Sequence, residues 1–226
     1  MYIKSTNSTN SLMKEMLAKG EWPEGEYFVY AGYQTAGRGQ TGNSWESEAD
    51  KNLLCSILLP PDKDLYFLNI AVGVAILRVI GEDFTIKWPN DIYYGDKKVA
   101  GILVENAILG NEVKYSIAGI GLNVNQTTFI SDAPNPISLK QITGKEYDID
   151  ALMQQVYAKV QETLNEEVWE KYKNHLYRRD GFWKYEDQNG IFEARIIDVL
   201  PTGEIVLCDR NGQNRTYGFK QIKYIL

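Results

Sequence analysis

VKYSIAGIGLNVN, residues 113–125, is the stretch that decides the architecture. Ile120, Leu122 and Val124 alternate with Gly119, Gly121, Asn123 and Asn125, and a period of two belongs to a strand. One face of this strand is bulky and apolar. The other has no bulk at first, then two amides. Glycine inside a strand marks close approach of another backbone or of a ligand. Either a packed helix or something flat therefore lies against the small face. The amides beside it can donate and accept, and asparagine can hold an edge of adenine with two hydrogen bonds.

The neighbouring segments repeat the theme. In KVAGILVE, 98–105, Gly101 shares a face with Val99 and Leu103, opposite Ala100 and Ile102, and a bulge would account for it as well as a close approach would. IYYGDKKVAGILVEN reads as a hairpin turning at Gly95-Asp96. Before it, FTIKWP, 84–89, is a strand ended by Pro89. Alternation puts Thr85 and Lys87 on one face and Ile86 and Trp88 on the other. Trp88 then faces the core and Lys87 a cleft or solvent.

Further out, YFLNIAVGVAILRVI, 66–80, is the most apolar run, but Asn69 and Arg78 interrupt it. It is short for a membrane span and reads as part of a buried helix over 64–81. EYFVYAGYQ and NLLCSILLP, 26–34 and 52–60, read as strands. Residues 8–19 read as a helix capped by Ser8, Thr9 or Asn10 and closed by Gly20. A loop rich in Pro and Asn follows the 113–125 strand, and 149 to about 176 has helical periodicity. After Asp180 the texture changes to short strands separated by Pro-Thr-Gly and Arg-Asn-Gly turns. This gives two expected domains, 1–180 and 181–226, the second too small to core itself alone and so docked on the first. Tyr177, Phe182 and Trp183 could supply the joint.

The chain has 226 residues, 44% apolar and 24% charged, with a formal net charge of −6. These are globular values, and the acidic balance argues against non-specific nucleic-acid binding. MYIKSTNSTN lacks a signal peptide's apolar stretch. Cys55 and Cys208 make neither a disulfide framework nor a metal site. A cytoplasmic location is expected. His175 stands alone at a basic helix end and reads as a surface residue.

GRGQTGNSW, 37–45, is either a plain turn or a main-chain cradle for an anion, with Arg38 as a fork of donors for phosphate or carboxylate. It is neither a Walker loop nor a dinucleotide fingerprint.

Together STN (8–10), YQTAGRGQTGNSW (33–45), KWPNDI (87–92), KVAGILVE (98–105) and GIGLNVN (119–125) make the chain resemble the biotin–protein ligase family. The resemblance implies an α+β fold: a mixed-sheet catalytic domain of the class II aminoacyl-tRNA synthetase/biotin ligase type, packed with helices, plus a small SH3-like β-barrel. It implies an enzyme that makes biotinyl-5′-AMP from biotin and ATP and passes biotin to a lysine of a biotin carboxyl carrier domain. By the same resemblance Ser8, Thr9, Asn10 and Gln34 bond the biotin head, with Arg38, Gly39, Gln40, Lys87 and Gly101 completing the biotin site. The main chain from Gly37 to Gln40 holds the carboxylate and phosphate region. Arg38 and Lys87 stabilise charge at the α-phosphate and count as catalytic. Gly37, Arg38, Gly39, Trp45, Lys87, Lys98 and Asn123 contact ATP, with Asn123 reading adenine. Mg²⁺ accompanies ATP, its protein ligands unidentified.

The chain departs from the family at Gln40, where many members have arginine, and at Thr41 and Asn43, where they are more basic. This leaves Arg38 and Lys87 with more of the charge to neutralise. Some relatives carry an N-terminal helix-turn-helix domain and repress transcription. Here the match begins within ten residues of Met1, so a ligase without DNA binding or membrane attachment is expected, with a homodimer left open. The rivals are a lipoate ligase and a non-catalytic nucleotide-binding or interaction module.

Overall fold

Along the chain the elements run β1 (Tyr2–Thr6), α1 (Thr9–Lys19), β2 (Phe28–Gln34), β3 (Leu53–Leu59), α2 (Leu65–Ile80), β4 (Thr85–Lys87), β5 (Asp91–Tyr94), β6 (Lys97–Leu109), β7 (Glu112–Leu122), α3 (Leu139–Thr143), α4 (Ile149–Thr163), α5 (Trp169–Asn174), β8 (Trp183–Asp187), β9 (Gly190–Val199), β10 (Ile205–Asp209), β11 (Asn214–Tyr217) and β12 (Lys223–Tyr224). The structure, a computed structural model, describes residues 1–40, 43–61, 63–109, 112–130 and 135–225. Thr41 and residues 131–134 of the Pro- and Asn-containing loop lie outside the described residues.

The main sheet has the order β1-β2-β3-β7-β6-β5-β4, which puts the glycine strand β7 at its centre. β1 and β2 are parallel and every other pairing is antiparallel, so the sheet is mixed. The bulky face of β7 packs as expected: Ala118, Ile120, Leu122 and Val124 join α2, α4 and α5 in one large apolar cluster. α2 is buried nearly all round, as its composition predicts. Asp64 caps it, accepting from the Tyr66 and Phe67 amides at 2.8 and 3.2 Å. On the other face α1 lays Met13 and Leu17 against Val29 and Ile117. No helix among the described residues is long and apolar enough to cross a membrane.

Two readings are corrected and one element is added. The 149–176 region is two helices, α4 and α5, separated by residues 164–168, and the Thr163 hydroxyl bonds back to the Lys159 and Val160 carbonyls in the last turn of α4. The first residues form β1, an edge strand whose mostly exposed side chains hide the pattern. Gly101 does not share a face with Val99. Ile92 pairs with Ala100 but Tyr93 pairs with Lys98, so Val99 is the extra residue of a β-bulge. The bulge turns Val99 into the core beside Ala100 and brings Lys98 onto the face of Gly101, where a Cβ would meet its Nζ at 3.4 Å. Bulges re-aim side chains in this way.

The tail is a five-stranded antiparallel sheet, β11-β10-β9-β8-β12. It docks as predicted: Tyr185, Val199, Ile205, Leu207 and Ile222 belong to the same apolar cluster as α2. Trp88 donates its indole N–H to the Gly203 carbonyl at 3.0 Å, and the Tyr66 ring rests on Gly203. Of the three aromatics expected at the joint, Tyr177 is buried against Tyr93 and Tyr224. Phe182 and Trp183 are exposed, with the Trp183 indole donating to the nearby Asp180 carbonyl.

Candidate functional site

A cavity of about 590 Å³ opens on the small face of the sheet. The structure brings Ser8, Thr9, Asn10, Gln34, Arg38, Gly39, Gln40, Trp45, Lys87, Lys98 and Gly101 to its wall, with Gly119 and Gly121 on its floor. Segments distant in sequence meet there because β6 and β7 pair in the middle of the sheet and α1 crosses β7.

The glycines of β7 have two specific neighbours. A Cβ at Gly119 would stand 2.6 Å from Asn10 Oδ1, and one at Gly121 would stand 2.8 Å from Trp45 Cδ2. The flat object against the small face is thus the Trp45 ring itself. Its indole N–H is buried without a hydrogen-bond partner among the described residues, and so is Gln40 Oε1.

One end of the cavity is polar and tightly held. Ser8, Thr9 and Asn10 are all buried. Ser8 takes the N-cap position of α1 but makes no side-chain cap bond, which leaves its hydroxyl for other partners. The Thr9 amide and hydroxyl both donate to Gln34 Oε1, at 2.8 and 3.2 Å. Ser56 Oγ lies 2.7 Å from Thr9 Oγ1 and 2.6 Å from Asn10 Oδ1. Asn10 Nδ2 donates to Glu105 Oε2 at 2.8 Å. Glu105 in turn pairs with Lys14 at 2.8 Å and Arg38 at 3.4 Å. Burial pushes the Glu105 carboxyl up, but hydrogen bonds from Lys14 and Asn10 and the Lys14 and Arg38 charges outweigh it and hold the group below its ordinary value.

The other end is cationic. Lys87, Lys98, Lys220 and Lys223 line it, Arg38 reaches in from its pairing with Glu105 at the polar end, and the wall carries one carboxylate, Asp91, among the described residues. This is a local basic pocket in an acidic chain. Lys98 pairs with Asp91 at 2.7 Å and lies 5.5 Å over the Trp45 ring. Lys87 donates to the Tyr93 hydroxyl at 3.0 Å. Burial pushes the Lys87 ammonium below its ordinary value; Asp91 opposes this, and Lys98 and Arg178 add to it. Sited so, the cations can neutralise two anionic groups brought together, an effect strengthened by partial exclusion of water.

Two expected site residues lie off the cavity wall. Asn123 is buried at the end of β7, donating to the Ile137 carbonyl at 3.2 Å, so its amide faces the 136–138 segment rather than the cavity. Gly37 lies behind the loop, where a Cβ would stand 2.6 Å from the Trp45 carbonyl oxygen. The loop is a small hairpin: the Gly39 amide donates to Asn43 O and the Trp45 amide to Gly37 O, both at 2.9 Å. Gly39 therefore does not offer its amide to an anion in this arrangement. Neither glycine has a positive φ; they serve close approach of the two arms. His175 ends α5, its ring nitrogen bonded to the Lys171 carbonyl, away from the cavity.

Sequence reasoning missed Ser56 and Glu105, which orient the polar end. It also missed the tail's contribution, Phe219, Lys223 and Tyr224 on the wall. Glu105 was within reach, since alternation from Gly101 and Leu103 puts it on their face.

A family model described as the Biotin/lipoate A/B protein ligase family matches residues 2–123. The bifunctional ligase/repressor BirA of Bacillus subtilis is 29% identical over 239 residues, which cover 96% of this chain and 71% of that protein. The biotin–[acetyl-CoA-carboxylase] ligase of Mycobacterium tuberculosis is 31% identical over 135 residues, 55% of this chain and 48% of that protein. Among solved structures, the biotin protein ligase of Aquifex aeolicus in complex with biotin and ATP superposes with a TM-score of 0.80 at 25% identity, covering all of this chain and 98% of that one.

Proposed function

The chain belongs to the biotin/lipoate A/B protein ligase family, and from that premise we propose that it is an ATP-dependent biotin–protein ligase. It joins biotin to AMP and hands the biotinyl group to a lysine of a biotin carboxyl carrier domain. The observation that carries this reading is the cavity's polarity: a buried, hydrogen-bonded end at Ser8, Thr9, Asn10 and Gln34 faces a cationic end at Lys87 and Lys98. A ligand with a neutral polar head and an anionic tail fits that order.

In the first step a biotin carboxylate oxygen attacks the α-phosphorus of ATP, and the bond to pyrophosphate breaks. Both partners are negative, so the barrier is lowered by charge neutralisation and alignment. Lys87 and Arg38 supply the charge and Lys98 adds to it. The carboxylate is already ionised at neutral pH, so no base is required. Trp45, on the glycine floor, bounds the nucleotide side. In the second step the neutral amine of the acceptor lysine attacks the acyl carbon; AMP leaves, and the amine proton goes to solvent.

Mg²⁺ accompanies ATP in this reading. Among the described residues no three carboxylate, histidine or cysteine side chains cluster as a metal cage. This suits an ion that keeps its waters and binds chiefly through phosphates. The five-stranded tail supports the SH3-like barrel, and the mixed sheet supports the synthetase-type catalytic domain, with the boundary at 180/181. Two free buried cysteines, Cys55 and Cys208, support a cytoplasmic location.

Incubation with ATP, biotin and a carrier domain should add one biotin mass to the acceptor. Pyrophosphate exchange into ATP stimulated by lipoate and not by biotin would replace this reading with a lipoate ligase. Binding of either compound without exchange would replace it with a non-catalytic module.

A further inference from the structure

The two cavity lysines are held by different means. Lys98 has a carboxylate partner in Asp91 at 2.7 Å. Lys87 forms no salt bridge among the described residues; its ammonium lies 4.8 Å from the Tyr93 ring centre and 5.1 Å from that of Tyr224, with the Tyr93 hydroxyl accepting at 3.0 Å. Tyr93 comes from β5 and Tyr224 from β12, the last strand of the tail. We propose that Tyr93 and Tyr224 are positioning residues that cage the Lys87 ammonium, so that the tail, through one aromatic ring, sets the charge-stabilising group of the catalytic domain.

The cage rests on several contacts. Tyr224 is fixed by the Tyr185 ring at 5.1 Å and the Tyr177 ring at 5.9 Å. Arg178 donates to the Ile225 carbonyl at 2.8 Å, and the Ile225 amide donates to Lys184 O at 3.1 Å, closing the strand on the domain. The buried Tyr224 hydroxyl has no hydrogen-bond partner among the described residues, so its ring is the part in use. An aromatic face attracts a cation without cancelling its charge. Lys87 thereby has no carboxylate in contact among the described residues and feels Asp91 only from farther off, whereas Lys98 is paired with it. The groups that face Lys87 are Asp91 from β5, Lys98 from β6, Arg178 after α5, and the two tyrosines. Burial holds both phenols above their ordinary values, so they stay neutral where Lys87 is charged.

The mechanistic use of the cage rests on the ligase reading; the cage itself does not, and the test separates them. Competitive acetylation across pH, read by mass spectrometry, gives the titration of Lys87. Tyr93→Phe keeps the ring but removes an acceptor that favours the ammonium, so the Lys87 titration should move down. Tyr224→Ala admits water and should move it up. In biotin-dependent pyrophosphate exchange Tyr224→Ala should lower kcat about tenfold with biotin KM within about twofold, and Tyr224→Phe should restore most of that loss. An unmoved Lys87 titration in both Tyr93→Phe and Tyr224→Ala overturns the proposal, as does a Tyr224→Phe enzyme as slow as Tyr224→Ala. Titrations that move as expected in a chain without biotin-dependent exchange would keep the cage and overturn the ligase reading.

Discussion

The Trp45 ring lies flat on Gly121, so close that a Cβ on that glycine would stand 2.8 Å from both Cδ2 and Cζ2 of the indole. Glycine at 121 is what lets the 37–45 hairpin lie down on the sheet. Gly101 contributes to the same floor, with a Cβ there 3.1 Å from Trp45 Cζ3.

Replacing Gly121 with valine should therefore lift Trp45 off the floor. Overpacking of this kind costs about 1–3 kcal/mol. The expected outcome is a red-shifted tryptophan emission and weaker binding of ATP in calorimetry, with the far-UV spectrum retained. Unchanged emission and affinity would contradict the assignment of the floor.

Asn10 is oriented from both sides, by Ser56 at its oxygen and Glu105 at its nitrogen. Asn10→Ala should weaken biotin binding by about 1–3 kcal/mol, roughly five- to a hundred-and-fiftyfold. ATP affinity should stay within about twofold of the parent. Equal losses for both ligands would show that the polar end does not belong to biotin.

Lys87→Ala should lower biotinyl-AMP formation by about a hundred- to a thousandfold while melting stays cooperative, because donors aimed at developing charge are the costliest to lose. Rapid-quench measurement of the adenylate checks it. Full activity would remove Lys87 from the mechanism.

The Glu105 carboxyl sits below its ordinary value in the fold. A group depressed in this way adds stability above its unfolded value, about 4.3, and that contribution is lost as pH falls through the folded value. On acidification below about pH 4.3 the parent should lose melting temperature faster than Glu105→Gln. Parallel melting curves for the two proteins would refute the assignment.

Trp88→Phe removes the indole bond to Gly203 and keeps most of the packing. About 1 kcal/mol of stability should go, or about 2–4 °C in Tm for a chain of this length. Limited proteolysis should cut more readily near Asp180. A tail as protected as in the parent would locate the joint elsewhere.

Much of this was legible because it was local. Alternation at 119–125 gave the two faces of β7, and the run at 66–80 gave the buried helix. The clustering of STN, the 33–45 loop, KWPND and KVAGILVE on one wall followed from the family resemblance and matches the cavity. What stayed hidden depends on partners distant in sequence. The place of Val99 is decided by how β5 pairs, the engagement of the Gly39 amide by where Asn43 returns, and the burial of Asn123 by the 136–138 segment crossing over it. Phe182 and Trp183 look like core residues in sequence and are not, since Tyr177 fills the joint. Nothing near Tyr224 announces a cavity wall; only tail docking puts it there.

The extra residue at Val99 has an evolutionary corollary. Were its codon lost, the arm would return to plain alternation, with Ala100 still opposite Ile92 and Lys98 still opposite Tyr93. One aliphatic group would leave the interior and the local bend would relax, yet the ammonium would keep its side of the sheet. A second codon lost in the same arm has no such cushion and would turn the strand over. Lineages should thus differ by this one residue more readily than by any other length change nearby.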